Sequence, residues 1–166
     1  SAYKALKKKG LKEEVKFVVF AGDGGSYDIG LQSLSGMLER GHDVVFVVYD
    51  NEAYMNTNVQ RSSSTPFGAA TTTTPDGKIH HGKEEFKKSL IDVVIAHKIP
   101  YVAQAAVHDL EDLSRKAKKA FETKGPSFLN VLSPCNLGWK HPPNMTIAIS
   151  KFATETNVWP LYEYEN

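Results

Sequence analysis

The stretch "FVVFAGDGGSYDIG", residues 17–30, decides the fold. A run of Val and Phe stops at Gly22-Asp23-Gly24-Gly25, and helical spacing begins a few residues later. Strand, glycine turn and helix together make a phosphate site, because a helix start offers free N–H groups and a positive end. Two familiar phosphate patterns are absent. G-x-G-x-x-G fits at Gly22 and Gly24 but meets Tyr27 at its third position, and the P-loop fails because Gly30 is followed by Leu31 and Gln32. Both patterns also avoid a carboxylate pointing at the phosphate, which is where Asp23 stands. A cation between the two resolves the conflict. Magnesium suits, since it takes one or two carboxylates, other oxygen ligands and substrate phosphates in octahedral array.

Outward from this turn, apolar runs alternate with helical patterns. "VKFVVFA" (15–21), "DVVFVVYD" (43–50), "YVAQAAV" (101–107) and "SFLNVLS" (127–133) read as short strands, mostly too continuous to have a polar face. Between the first two, "DIGLQSLSGMLER" places Leu31, Leu34 and Leu38 on one helical face and stops at Gly41. The spacing of Phe86, Leu90, Val93, Val94 and His97 predicts a helix from Glu84 to His97. Another runs from Asp109, an N-cap type, through Leu110, Leu113, Ala117 and Phe121 to "KGP". "AYKALKKKG" at the start reads as a helix in progress, and with Ser1 as first residue the expectation is a single domain, residues 1–166, cut from a longer chain. Alternating strands and helices predict an α/β fold, a mostly parallel sheet with helices on both faces.

Bulk properties narrow the function. A length of 166 residues suits one domain with a core, and a formal charge of +1 gives no basic field for nucleic acid. No apolar run is long enough to span a membrane, and no signal peptide opens the sequence. One cysteine, Cys135, excludes an internal disulfide and suits the cytoplasm.

A metal at Asp23 needs ligands from a second place. Neighbouring parallel strands bring their carboxyl ends together, where ligands of open α/β sheets collect. The second strand ends in "YDNEAYMNT" (49–57), so Asn51, 28 residues after Asp23, offers an amide oxygen, and carbonyls just beyond it can add another. Residues 51–83, with "QRSSSTPFGAATTTTPDGK", fit neither period and read as loop. Loops of this length are uncommon in compact domains unless they are functional.

These residues carry a resemblance. GDG, one βα unit and an Asn-containing segment resemble the thiamine diphosphate motif. The longer run "GDGGSYDIGLQSLSGMLERGHDVVFVVYDNEAYMNTNVQRSSSTPFGAATTTTP" resembles the β subunit of the 2-oxoacid:ferredoxin oxidoreductases, pyruvate:ferredoxin oxidoreductase above all, and "AHKIPYVAQAA", "GPSFLNVLSPCNLGW" and "WPLYEYE" continue the match. The resemblance implies oxidative decarboxylation of pyruvate or a related 2-oxo acid, dependent on thiamine diphosphate, to acyl-CoA and carbon dioxide, with electrons passed through Fe–S clusters to ferredoxin. It implies Mg²⁺ held by Asp23, Asn51 and the Ala53 carbonyl, and cofactor contacts at Gly22, Asp23, Gly24, Gly25, Asp28, Ile29, Asn51, Tyr54, Asn56 and Thr57. Asn56 would lie near both cofactor and substrate, as the catalytic candidate. Cys135, in "SPC", would give one ligand to a [4Fe–4S] cluster whose other ligands lie outside these residues. Implied partners are the α subunit, γ/δ-type subunits, ferredoxin, pyruvate and coenzyme A. The family often has Gly at the position of Asn58, which suggests a left-handed backbone there.

Plainer readings stand beside these. Asp23 alone could be a turn residue, Asn56 and Thr57 ordinary loop residues, and Cys135 a small buried hydrophobe. His80 and His81 read as a solvated loop, His97 as packed or capping, and Lys7–Lys9 and Lys116–Lys119 as solvated helix faces, the latter able to dock an acidic electron carrier. Glu52 is expected not to ligate, and Glu84, Glu85, Glu111 and Asp112 to sit on solvated helices. Two other functions remain open: a non-oxidative thiamine-dependent decarboxylase or synthase, and a Mg²⁺-phosphate module without catalysis of its own.

Overall fold

The computed structural model describes residues 2–166. Its elements are α1 (Ala2–Lys8), β1 (Phe17–Gly22), a π-helical turn (Gly24–Ile29), α2 (Leu31–Glu39), β2 (Val44–Asp50), α3 (Leu90–Ile95), β3 (Tyr101–Ala106), α4 (Leu110–Glu122), β4 (Ser127–Leu132), a short 3₁₀ turn (Pro143–Met145), α5 (Thr146–Glu155) and β5 (Tyr162–Glu165). The sheet order is β1-β2-β4-β3-β5. The first four strands are parallel, and β5 runs antiparallel along β3.

Alternation along the strands builds two cores. On one face Val48, Val102 and Phe128 meet Leu34 and Leu38 of α2 and Leu90, Ile91 and Val94 of α3. On the other, Val45, Tyr101, Ala103, Leu129 and Val131 meet Ala120, Leu113 and Ala117 of α4. Helices therefore cover both faces, as the α/β reading expects. β3 and β4 are buried throughout. β1 is not, because it forms the sheet edge and leaves Phe17 and Phe20 exposed, contrary to the expectation of a buried strand.

Three helix expectations need correction. The segment 84–89 is not helical; α3 begins at Leu90, where the Ser89 hydroxyl accepts from the Asp92 N–H at 3.3 Å. The Lys88 N–H goes instead to the Ser63 carbonyl at 2.9 Å, and Lys87 turns inward to the buried Asp50 and Glu52 while Lys88 meets the partly buried Asp28. Tertiary bonds have overridden helical spacing, so Glu84, Glu85 and Phe86 are exposed but not on a helix. On α4 the Asp109 side chain caps as expected, accepting from the Asp112 N–H at 2.9 Å. Leu113 and Ala117 pack inward with Lys116 and Ala120, but Leu110 and Phe121 are exposed. Lys116 is not solvated: its ammonium meets Asp112 at 2.6 Å and the Gln104 carbonyl at 2.8 Å. α5 and β5 were not anticipated by periodicity.

Candidate cofactor and metal site

The carboxyl ends of β1 and β2 lie side by side, with Gly22 paired to Tyr49. Beyond them a hollow of about 200 Å³ is lined by Gly22, Asp23, Gly24, Gly25, Asn51, Ala53, Tyr54, Asn56 and Thr57, together with Tyr49 and Met55. These are nine of the candidate residues, drawn from two segments about 30 positions apart. Asp28 and Ile29 do not line it. Ile29 is 87% exposed, and the Asp28 carboxylate is taken by the Ser63 N–H at 3.0 Å, the Ser63 hydroxyl and Lys88 at 3.6 Å.

The glycine turn makes the floor. Its helix starts at Gly24, inside the glycine run and not after Gly25 as the sequence suggests, and opens as a π-turn closed by the Gly30 N–H on the Gly25 carbonyl at 2.8 Å. Such wide turns recur at functional sites. Gly24 permits a close approach: a Cβ there would stand 2.3 Å from the Tyr54 ring, whose hydroxyl donates to the Gly24 carbonyl at 2.9 Å. Tyr54 also pairs with Gln60 through two backbone hydrogen bonds, closing a small loop that presents Asn56 and Thr57. Asn58 has φ +88°, the left-handed backbone expected of it, and Val59 follows at +58°, a strained value for a β-branched residue.

The donor set is oxygen-rich. The outer amide atom of Asn51 lies 2.8 Å from the Ala53 carbonyl oxygen and 3.1 Å from Asp23 Oδ1. With nitrogen there, the amide donates to both. With oxygen there, the amide faces two further acceptors, as one ligand faces its neighbours around a shared cation. Adjacent octahedral ligands at about 2.1 Å from magnesium stand about 3 Å apart, so the spacing fits. Among the described residues no group of three His, Cys, Asp or Glu side chains could hold a metal, which sets this carboxylate–amide–carbonyl set apart from a zinc-type site. The strained turn behind it belongs to Glu52, φ +67°, whose N–H donates to Asp50 Oδ1 at 2.9 Å. That bond spans Asn51 and turns residues 51 and 53 toward Asp23. The Glu52 side chain is paired with Lys87 at 2.8 Å.

Electrostatics favour a cation. Asp23 is 1% exposed, and among the described residues no Lys or Arg pairs with it. Burial, and next the charge of Asp50, push its carboxyl up to about 7, against the hydrogen bond from Ser62. Burial also raises Glu52, with Lys87 opposing it. Buried carboxylates persist when paired or when coordinating metal.

Sequence reasoning missed the support beneath this set. Asp50, fully buried, accepts from the Tyr27 hydroxyl at 2.7 Å, and Ser64 Oγ stands 2.7 Å from both its oxygens. Tyr27 in turn accepts from Asn130 Nδ2 at 2.8 Å. Lys87 lies 3.7 Å from Asp50 and 4.3 Å above the Trp159 ring. An acid ending an apolar strand was the available signal for Asp50; the serines looked like loop. Cys135 is a free, partly buried thiol in the loop after β4. That loop adjoins the site, since the Trp139 indole N–H donates to the Asn51 carbonyl at 2.9 Å and the Trp139 N–H to the Cys135 carbonyl at 2.8 Å. His80 and His81 are exposed, and His97 is packed between the Val93 carbonyl and Ser35.

Parallel strands, a glycine turn and this oxygen set would suit a diphosphate held through a cation, and the comparisons give the family. Residues 2–131 match the family model "Thiamine pyrophosphate enzyme, C-terminal TPP binding domain", and the chain belongs to that family. Its relatives include "Ketoisovalerate oxidoreductase subunit VorB" of Pyrococcus abyssi, 55% identical over all of this chain and 54% of that protein. "Pyruvate synthase subunit PorB" of Methanocaldococcus jannaschii is 52% identical over all of this chain and 57% of its own length. PorB of Thermotoga maritima is 55% identical over 99% and 52%. The chain thus spans about half the length of the curated relatives it matches. Among solved structures, "2-oxoglutarate:ferredoxin oxidoreductase from Magnetococcus marinus with 2-oxoglutarate, coenzyme A and succinyl-CoA bound" superposes with a TM-score of 0.68 at 26% identity, over 80% of this chain and 44% of that one. The 2-oxoacid:ferredoxin oxidoreductase family expected from the sequence is the family found. Among the described residues no helix is long and apolar enough to cross a membrane.

Proposed function

We propose that this chain is the thiamine-diphosphate- and Mg²⁺-binding domain of the β subunit of a 2-oxoacid:ferredoxin oxidoreductase that works in the cytoplasm. The observation that carries the reading is the convergence of Asp23 Oδ1, the Asn51 amide and the Ala53 carbonyl above the glycine turn. These three would hold Mg²⁺, and the metal with the turn at Gly24–Gly25 would hold the diphosphate. When bound, thiamine diphosphate supplies the electron sink for decarboxylating a 2-oxo acid. The chain's own part is placement: Tyr54 fixes the turn, Asn56 and Thr57 line the hollow, and Asn56 is the catalytic candidate. Pyruvate or a branched 2-oxo acid is the substrate class, since the relatives carry both names. Coenzyme A takes the acyl group and ferredoxin the electrons, with α and γ/δ-type subunits completing the enzyme. A [4Fe–4S] cluster wants four thiolates, and this chain has one, so Cys135 contributes a single ligand.

The test is calorimetric titration of the full-length, assembled protein with thiamine diphosphate. Tight binding is expected with Mg²⁺ and little in chelator; equal affinity in both would overturn the clamp. Asp23→Ala should weaken binding by more than the about 10- to 100-fold typical of a residue behind the ligands. Glu52→Ala should cost far less.

A further inference from the structure

The loop 62–65 carries three hydroxyl side chains sealed from water, and two of them end on carboxylates of the site. Ser62 and Ser64 are fully buried and Thr65 is 1% exposed. Ser62 Oγ donates to Asp23 Oδ2 at 2.5 Å and itself accepts from the Ser64 N–H at 3.1 Å. Ser64 Oγ is anchored on Asp50, and Thr65 Oγ1 donates to the Glu52 carbonyl at 2.5 Å while accepting from the Ser62 N–H at 2.9 Å. Lys83, also buried, closes the brace from outside by donating to the Thr65 carbonyl at 2.6 Å. One loop thus ties the end of β1 to the end of β2.

We propose that Ser62 is the positioning residue that makes Asp23 a one-oxygen ligand and so selects a small octahedral cation over calcium. A carboxylate has two oxygens, and here they are divided. Oδ2 is committed to Ser62, and Oδ1 alone faces the Asn51 amide at 3.1 Å. Magnesium demands near-ideal octahedral geometry, which a single carboxylate oxygen satisfies. Calcium takes six to eight oxygens and readily uses both from one carboxylate. Occupying Oδ2 with a hydroxyl donor denies calcium that second contact. Without the donor, Asp23 can turn and offer both oxygens.

The proposal rests on the metal reading above, and the experiment separates the two. Mn²⁺, a paramagnetic stand-in for Mg²⁺, is titrated into the full-length protein with thiamine diphosphate, free Mn²⁺ is followed by electron paramagnetic resonance, and Ca²⁺ is then added as competitor. Ser62→Ala should weaken Mn²⁺ by about 10- to 100-fold, the usual effect of losing a partner behind a ligand, and should lower the excess of Ca²⁺ needed to displace it. Ser62→Thr, which keeps the hydroxyl, should restore both. Ser62→Cys, of similar shape with a poorer donor, carries the same expectation should the alanine variant not fold. Unchanged Mn²⁺ affinity and an unchanged Ca²⁺ to Mn²⁺ ratio in a folded variant would overturn the role of Ser62. Equal Mn²⁺ binding by wild type and Asp23→Asn would overturn the metal reading and the proposal with it.

Discussion

Asp23 is a buried carboxylate with a hydroxyl on one oxygen and an amide on the other, and Asp50 beneath it is a buried carboxylate fully engaged. The difference between them is what the structure asks of each. Asp50 is saturated with donors and works as an anchor; Asp23 keeps one oxygen for something else. Tyr27 is the joint that holds the anchor to the core, donating to Asp50 and accepting from Asn130 on β4. Tyr27→Phe keeps the ring and its packing but leaves both partners short of a bond. A buried hydrogen bond to a charged group contributes about 1.5–3 kcal/mol. Denaturant unfolding of the variant should show a loss of that size; a loss within error would mean that water replaces the phenol and that Asp50 is less sealed than its burial indicates.

At the scale of elements, β5 is an edge strand fastened by charge. Glu163 accepts from Tyr101 on β3 at 2.8 Å, from Lys119 on α4 at 3.2 Å and from Arg115. Burial alone would raise its carboxyl, but the bonds from Arg115, Tyr101 and Lys119 win and bring it from 4.5 down to about 2. A depressed carboxyl stabilises the fold fully above its unfolded value and loses that contribution as pH falls toward the folded value. The stability tied to β5 should therefore be present above about pH 4.5 and decline between 4.5 and about 2. Glu163→Gln should flatten that acid limb in unfolding curves measured across this range. An unchanged limb would assign acid sensitivity to other carboxylates. The same interplay of charge and backbone explains 83–89, where inward lysines and the Ser63 carbonyl outcompete a helix that periodicity favours.

For the molecule as a whole, the hollow is small. At about 200 Å³ it falls below the about 300–1,000 Å³ usual for a site that encloses a small molecule, and among the described residues Asp23 is the only acidic side chain lining it. Phe17, Val19, Phe20 and Ile29 are exposed. With the chain spanning about half of its relatives' length, the expected outcome is that it holds the diphosphate end and that the rest of the cofactor is covered from elsewhere. The purified 166-residue chain should release no carbon dioxide from pyruvate in a single turnover, whereas the complete assembly should. Release by the chain alone would refute a divided site.

Much of this was legible in one dimension. Strands β1 to β4, the α2 and α4 helices, the glycine turn and the oddity of an acid in a phosphate loop are carried by neighbouring residues, through period, propensity and turn chemistry. Asp23 and Asn51 could be paired because parallel strands must end together. What only the tertiary structure decided lies in irregular backbone, whose hydrogen bonds go to partners far along the chain. Ser62 reaches Asp23, Ser64 reaches Asp50, and Lys87 reaches Asp50 and Glu52. Such contacts leave no periodic trace, since a loop serine bonded to solvent and one bonded to a buried carboxylate have the same letters around them. Burial alone separates them, and burial is a property of the assembled sheet.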